Sequence, residues 1–168
     1  MTGKKVMILG AVGVGKSSLS HRLAFDRFEG NYKATIGVDI YNTMVEVEGD
    51  DTGTTMQFVL WDTDGDFGMN IFADTYLRGA SAAVVVADAT RSATVPHLKK
   101  LVLGFKEILP GRPCIAILNK IDLLTAPTSL RLEDCGSPDF AVSSSALTGQ
   151  GVRPAFARLA ATILRRGL

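Results

Sequence analysis

The sequence predicts a layered α/β domain. Three observations carry that prediction. Short apolar runs alternate with helical patterns along the whole chain. Residues 82–87 read Ala-Ala-Val-Val-Val-Ala, a continuous apolar run suited to a strand covered on both faces. Residues 38–47 and 55–61 read as two strands joined by the turn Glu48-Gly49-Asp50-Asp51-Thr52-Gly53, which makes that pair an antiparallel hairpin.

The elements follow in order. Val6-Met7-Ile8-Leu9 forms the first strand and ends at Gly10. A helix starts near Lys16 with Leu19, Leu23 and Ala24 on its inner face. After the hairpin and the strand at 82–87, a helix runs over 95–109 and is closed by Pro110-Gly111. A strand over 114–118, an irregular stretch to Asp139, a strand over 140–143 and a last helix over 152–165 complete the chain. With no repeat, linker or second domain in the pattern, residues 1–168 are expected to form one domain.

Composition narrows the function classes. Hydrophobic residues make up 46% and charged residues 21%, enough apolar material for a core and too much for disorder. The net charge of +1, with no basic stripe, gives no sign of a nucleic-acid partner, and Arg165-Arg166 reads as a solvated helix end. Cys114 reads as core and Cys135 as a loop residue; neither has metal-ligand spacing, and the pair suits a reducing cytoplasm. His21 and His97 fall in helical patterns as structural or exposed residues and give no support for histidine-based catalysis. No apolar stretch approaches the ~20 residues of a spanning helix. Thr2 excludes N-myristoylation, and the last residues offer no cysteine for prenylation. The expectation is a soluble, cytoplasmic chain without an anchor of its own, recruited to membranes only through a partner or a missing C-terminal extension.

Gly10-Ala11-Val12-Gly13-Val14-Gly15-Lys16-Ser17 matches G-x-x-x-x-G-K-[ST] and lies between a strand and a helix, the context that gives the motif its meaning. The glycines let backbone N–H groups converge on phosphate oxygens, and the helix N-terminus adds partial positive charge. Gly13, Val14, Gly15, Lys16, Ser17 and Ser18 are therefore candidate phosphate-binding residues. Lys16 would reach the β- and γ-phosphates and the Ser17 hydroxyl would coordinate Mg²⁺. The loop alone does not choose between ATP and GTP.

Asn119-Lys120-Ile121-Asp122 follows the strand over 114–118 and supplies the choice. The Asp122 carboxylate can accept from guanine N1–H and the exocyclic amine, a donor pair that adenine lacks. Asn119 can tie neighbouring loops together, and the Lys120 stem can lie along the base. Ser143-Ser144-Ser145-Ala146-Leu147 follows the next strand, and its backbone N–H groups are candidates to donate to guanine O6. Ser145, Ala146 and Leu147 thus join the base-binding set. A P-loop ATPase or kinase is the competing class, and Asp122 opposes it.

With these motifs, Thr35-Ile36-Gly37-Val38-Asp39, Trp61-Asp62-Thr63 and Tyr76-Leu77-Arg78-Gly79-Ala80 make the chain resemble the Ras superfamily of small GTPases over essentially its whole length, the Rab branch best. The resemblance implies a P-loop small G domain: an open six-stranded sheet, mostly parallel with one antiparallel edge strand, flanked by about five helices. It implies a switch that binds GTP or GDP with Mg²⁺. By the same resemblance Thr35 meets Mg²⁺ and the γ-phosphate, Asp62 holds the metal through a water, and Gly65 donates its N–H to the γ-phosphate. Phe28 matches the aromatic that packs edge-on against guanine, and Tyr32 the one that folds over the phosphates. Effectors, exchange factors and activating proteins are expected on residues 30–42 and 63–78.

Three departures bear on function. Where the family usually carries glutamine after Asp-x-x-Gly, this chain has Asp66. An ionised carboxylate accepts hydrogen bonds but cannot donate them, and Asp64 adds a second negative charge nearby. Val12 replaces the glycine of Ras-type members and fills space beside the γ-phosphate. Together they predict slow hydrolysis, with Asp66, Lys16 and Thr35 as candidate catalytic residues. A rival version makes Asp66 a general base that needs an activating partner. The alternative function is a hydrolysis-deficient scaffold locked in one nucleotide state. The third departure, the absent C-terminal cysteine, leans towards a truncated chain or a prokaryotic or atypical relative. Leu147 also replaces a usual lysine, where only backbone donors are needed.

Overall fold

The computed structural model describes residues 3–31, 33–65, 70 and 75–168. One six-stranded sheet organises them, in the order β2-β3-β1-β4-β5-β6, with β1 Lys4–Gly10, β2 Val38–Glu46, β3 Thr55–Thr63, β4 Ala82–Asp88, β5 Cys114–Asn119 and β6 Ala141–Ser143. The β2–β3 pair is antiparallel and every other pair is parallel, as the hairpin and the crossovers dictate. β2 is the antiparallel edge strand.

Three α-helices flank the sheet among the described residues: α1 Lys16–Phe25, α2 Thr94–Ile108 and α3 Val152–Arg165. The expected count of about five is therefore corrected downward. Between β5 and β6 the chain makes only short 3-10 turns, Ile121–Leu123 and Glu133–Cys135. The intervening Pro127, between Ala126 and Thr128, breaks helical periodicity there.

All seven residues of β4 and all six of β5 are buried, because helices cover both faces. One layer packs Leu19, Phe58, Leu60, Phe156 and Leu159 beneath α1 and α3. The other packs Met7, Leu9, Leu98, Leu101 and Phe105 beneath α2. Leu19 and Leu23 face inward as expected, whereas Ala24 is only half-buried. Cys114 is core as expected. Cys135 is also fully buried, at the end of a 3-10 turn that packs against α2 rather than in an open loop. Arg166 is not simply solvated, since its guanidinium pairs with Asp139 and donates to Gly111 O at 3.1 Å.

No helix among the described residues is long and apolar enough to cross a membrane. The C-terminal ends of β1, β3, β4, β5 and β6 all open towards one edge of the sheet, where an α/β fold of this kind holds its ligands.

Candidate functional site

Along that edge lies a cavity of about 590 Å³. Gly13, Gly15, Lys16, Ser17, Ser18, Thr35 and Gly65 line one end; Phe28, Asn119, Lys120, Asp122, Ala146 and Leu147 line the other. Sequence elements far apart in the chain are thus brought to one place. Asp66 and Tyr32 lie outside the described residues.

The loop between β1 and α1 owes its shape to glycine. Gly15 sits at φ 101, a left-handed conformation, and a Cβ on it would collide with the Asn119 amide nitrogen. Gly65 must also lack a side chain, because a Cβ there would lie 2.5 Å from Val12 N. α1 begins without a side-chain cap and without acidic residues in its first turn, so its leading N–H groups are left for an anion. Lys16, 6% exposed, folds back onto its own loop and donates to Gly10 O at 3.0 Å and Ala11 O at 2.9 Å. Its ammonium is held at the glycine-loop end of the cavity by contacts that an anion's oxygens could replace.

The three residues expected to hold Mg²⁺ meet. Ser17 Oγ donates to Asp62 Oδ2 and stands 2.9 Å from Thr35 Oγ1. Asp62 is fully buried at the end of β3, and its second oxygen, Oδ1, has no hydrogen-bond partner. Burial pushes the Asp62 carboxyl up to about 6, against the opposing pull of Ser17 and Lys16. A buried carboxylate with an orphaned oxygen beside two hydroxyls fits a hard cation that takes oxygen ligands and keeps some waters. No cluster of three or more His, Cys, Asp or Glu occurs among the described residues.

At the other end Asn119, 1% exposed, does the tying predicted for it. Its Nδ2 donates to Val14 O at 3.1 Å, and its Oδ1 accepts from Ser144 Oγ at 3.2 Å and Ala146 N–H at 3.1 Å. Ser145 Oγ donates to Asp122 Oδ1 at 2.6 Å, which orients that carboxylate, and accepts from Thr148 N–H. The Lys120 ammonium donates to Gly13 O at 2.6 Å and Asp88 Oδ2 at 2.7 Å, so it ties this end of the cavity to the loop after β1. Here the geometry narrows the expectation that residues 143–147 offer a row of N–H donors. Those of Ser144, Ser145 and Ala146 are taken by Leu118 O, Gln150 O and Asn119 Oδ1. Phe28 is 39% exposed and lines the cavity.

Sequence reading missed several participants. Asp88 ends β4 with 2% exposure; burial alone would raise its carboxyl, but Lys120, Thr90 and Arg91 outweigh burial and hold it down to about 2. Its position at a strand's C-terminal end was the available signal. Arg22 of α1 donates from Nε to Ala146 O at 2.9 Å and from Nη2 to Leu147 O at 2.6 Å, so it clamps the base-reading loop. His21 Nε2 lies 2.9 Å from the Tyr41 hydroxyl and joins α1 to β2, and both residues line the cavity.

Comparison with known proteins agrees with this arrangement. Residues 5–122 match the family model described as Ras of Complex, Roc, domain of DAPkinase. The Ras-related protein Rab-34 of Mus musculus is 35% identical over 167 residues, 94% of this chain and 62% of that protein. Rab-5B of Plasmodium falciparum is 32% identical, covering 98% of this chain and 80% of its own length. The Ypt/Rab-type GTPase YPT7 of Saccharomyces cerevisiae is 42% identical over 123 residues, 70% of this chain and 58% of that protein. The chain thus spans less than two thirds of Rab-34 and of YPT7.

Proposed function

Because the chain belongs to the Ras-like family of GTPase domains that these matches define, we propose that it is a guanine-nucleotide-binding switch. On this reading residues 1–168 form a single G domain that binds GTP or GDP with Mg²⁺ and hydrolyses GTP slowly without a partner. The observation that carries it is the meeting of Ser17, Thr35 and Asp62 at one end of a cavity whose other end holds Asp122 through Ser145.

Each group then has a task. Asp122 accepts from guanine N1–H and the exocyclic amine, and Phe28 packs against the base. Lys16 exchanges two loop carbonyls for phosphate oxygens, and the first N–H groups of α1 receive the same anion. The Ser17 and Thr35 hydroxyls directly, and the Asp62 carboxylate through a water, would hold Mg²⁺, which would neutralise phosphate charge when bound. Gly65 brings a backbone N–H to the γ-phosphate. Asp66, next in the chain, accepts a hydrogen bond from the attacking water but donates none to the transferring phosphoryl group, hence the slow rate.

Val12 favours the second reading, a hydrolysis-deficient scaffold. Its side chain is 41% exposed at the phosphate end, where a partner's arginine would have to enter. In either case effectors, exchange factors and activating proteins engage residues 30–42 and 63–78, and membrane recruitment runs through a partner or a C-terminal extension.

Chromatography of the nucleotide released from denatured, freshly purified protein tests the core of this reading. Guanine nucleotide is expected; adenine nucleotide would overturn it. Bound GTP supports slow turnover. In single-turnover assays Asp66→Gln is expected to hydrolyse GTP faster than the parent, and no acceleration sinks the role given to Asp66. The partner-dependent version instead expects Asp66→Asn to lose stimulated turnover.

A further inference from the structure

Five consecutive carbonyl groups of the phosphate loop each accept from a side chain. Lys16 serves Gly10 O and Ala11 O, Lys120 serves Gly13 O, and Asn119 serves Val14 O. The remaining one, Val12 O, accepts from Arg91 Nη2 at 2.8 Å. Lys16, Lys120 and Asn119 belong to the two nucleotide motifs; Arg91 belongs to neither and stands outside the cavity lining.

The geometry points to Arg91 as a positioning residue for the phosphate end of the site. In a trans peptide the C=O and the following N–H point in opposite directions. A donor that holds Val12 O from outside the cavity therefore fixes the Val12–Gly13 peptide plane and aims the Gly13 N–H inward, at the phosphates. Gly13 itself sits at φ 74, a conformation open to glycine.

Arg91 is itself held. Its Nε donates to Asp88 Oδ2 at 3.0 Å, and the Asp88 carboxylate is 2% exposed. The backbone of Arg91 is fixed on both sides: its N–H donates to Asp88 O at 3.0 Å and its O accepts from Thr94 Oγ1 at 2.7 Å. Asp88 Oδ2 also receives Lys120, while Oδ1 takes the Thr90 N–H and hydroxyl. One buried carboxylate thus orients two cations, which hold the neighbouring carbonyls of residues 12 and 13. The guanidinium serves Asp88 from Nε and Val12 O from Nη2, two nitrogens in a fixed planar fork. The Lys120 ammonium bridges Asp88 and Gly13 O from a single nitrogen. A lysine at 91 would therefore have to meet two partners set for separate nitrogens from one point on a flexible stem.

This inference rests on the guanine-nucleotide reading, and the test separates the two. Release of a fluorescent GDP and of its inosine counterpart is timed for the parent, Arg91→Ala and Arg91→Lys, with melting of each nucleotide-free protein in parallel. Arg91→Ala is expected to release both nucleotides about tenfold faster, the loss of the charge-assisted hydrogen bond on Val12 O. The factor is the same for both because the partners of Arg91 are Val12 O and Asp88, whereas the exocyclic amine that inosine lacks is assigned to Asp122. Arg91→Lys is expected to release nearly as fast as Arg91→Ala. Parent-like release from Arg91→Ala overturns the inference. So does full rescue by lysine, which would mean that charge alone matters, and so does an acceleration matched by an equal loss of nucleotide-free stability. If Arg91→Ala does not fold, Arg91→Lys against the parent decides. A parent that binds no guanine nucleotide overturns the functional reading and this one together.

Discussion

At the scale of single residues, buried charge explains more of this site than any one motif does. Asp88 is folded into the sheet's end with Lys120 and Arg91 both donating to it, and its carboxyl is held at about 2. The unfolded chain would titrate it near the ordinary value of about 3.9. Its folded value is the lower of the two, so its stabilising contribution is full above pH ~4 and is lost as pH falls towards 2. Asp88→Asn is expected to cost about 2 kcal/mol at pH 7, discounted for the part-exposed cations, and the gap to the parent should narrow between pH ~4 and ~2. Urea melts of both proteins across that range check it; a gap independent of pH would remove the charge from the explanation. The sequence marked Asp88 only as an aspartate ending an apolar run, which does not reveal its cations. Lys120 was legible from its motif, but not its reach to Gly13 O. The same holds for Arg22, whose clamp on residues 146 and 147 spans over a hundred residues of chain.

At the scale of elements, legibility followed periodicity. The run over 82–87 appears almost where expected because a strand covered on both faces leaves a continuous apolar run. The hairpin does so because its Gly/Asp turn joins two strands of which β3 alternates buried and half-buried residues. α3 starts and stops where the pattern places it, with Ala155, Phe156, Leu159 and Ile163 buried along one face. Helix number was less legible, since a family resemblance carries a count while residues 121–135 carry Pro127 and two 3-10 turns instead. α3 is also where packing can be measured. Phe156 is fully buried and tilted against Phe58, with ring centroids 6.4 Å apart. Phe156→Ala removes that ring from a core that cannot close around the gap, and should cost about 3–5 kcal/mol. Equilibrium urea unfolding reads this directly, and a cost under about 1 kcal/mol would show that α3 repacks freely.

For the molecule as a whole, the site works as a joint between elements. Its residues come from the loop after β1, the segment before β2, the end of β3 and the segments after β5 and β6. A ligand reaching both ends ties all of them together, so its binding energy appears as stability of the entire fold. With GDP and Mg²⁺ at about 100 times the dissociation constant, the gain is about 2.7 kcal/mol. For a chain of this length that corresponds to a rise in melting temperature of roughly 5–10 °C. Part of the gain should depend on the metal, because nucleotide alone leaves Asp62 Oδ1 without its partner. Thermal melts with GDP and Mg²⁺, GDP with chelator, and ADP with Mg²⁺ separate these contributions. The expected order is a full rise, a smaller rise and none. An equal rise with ADP would show that Asp122 does not choose the base, and an unchanged rise under chelation would remove Ser17, Thr35 and Asp62 from metal binding.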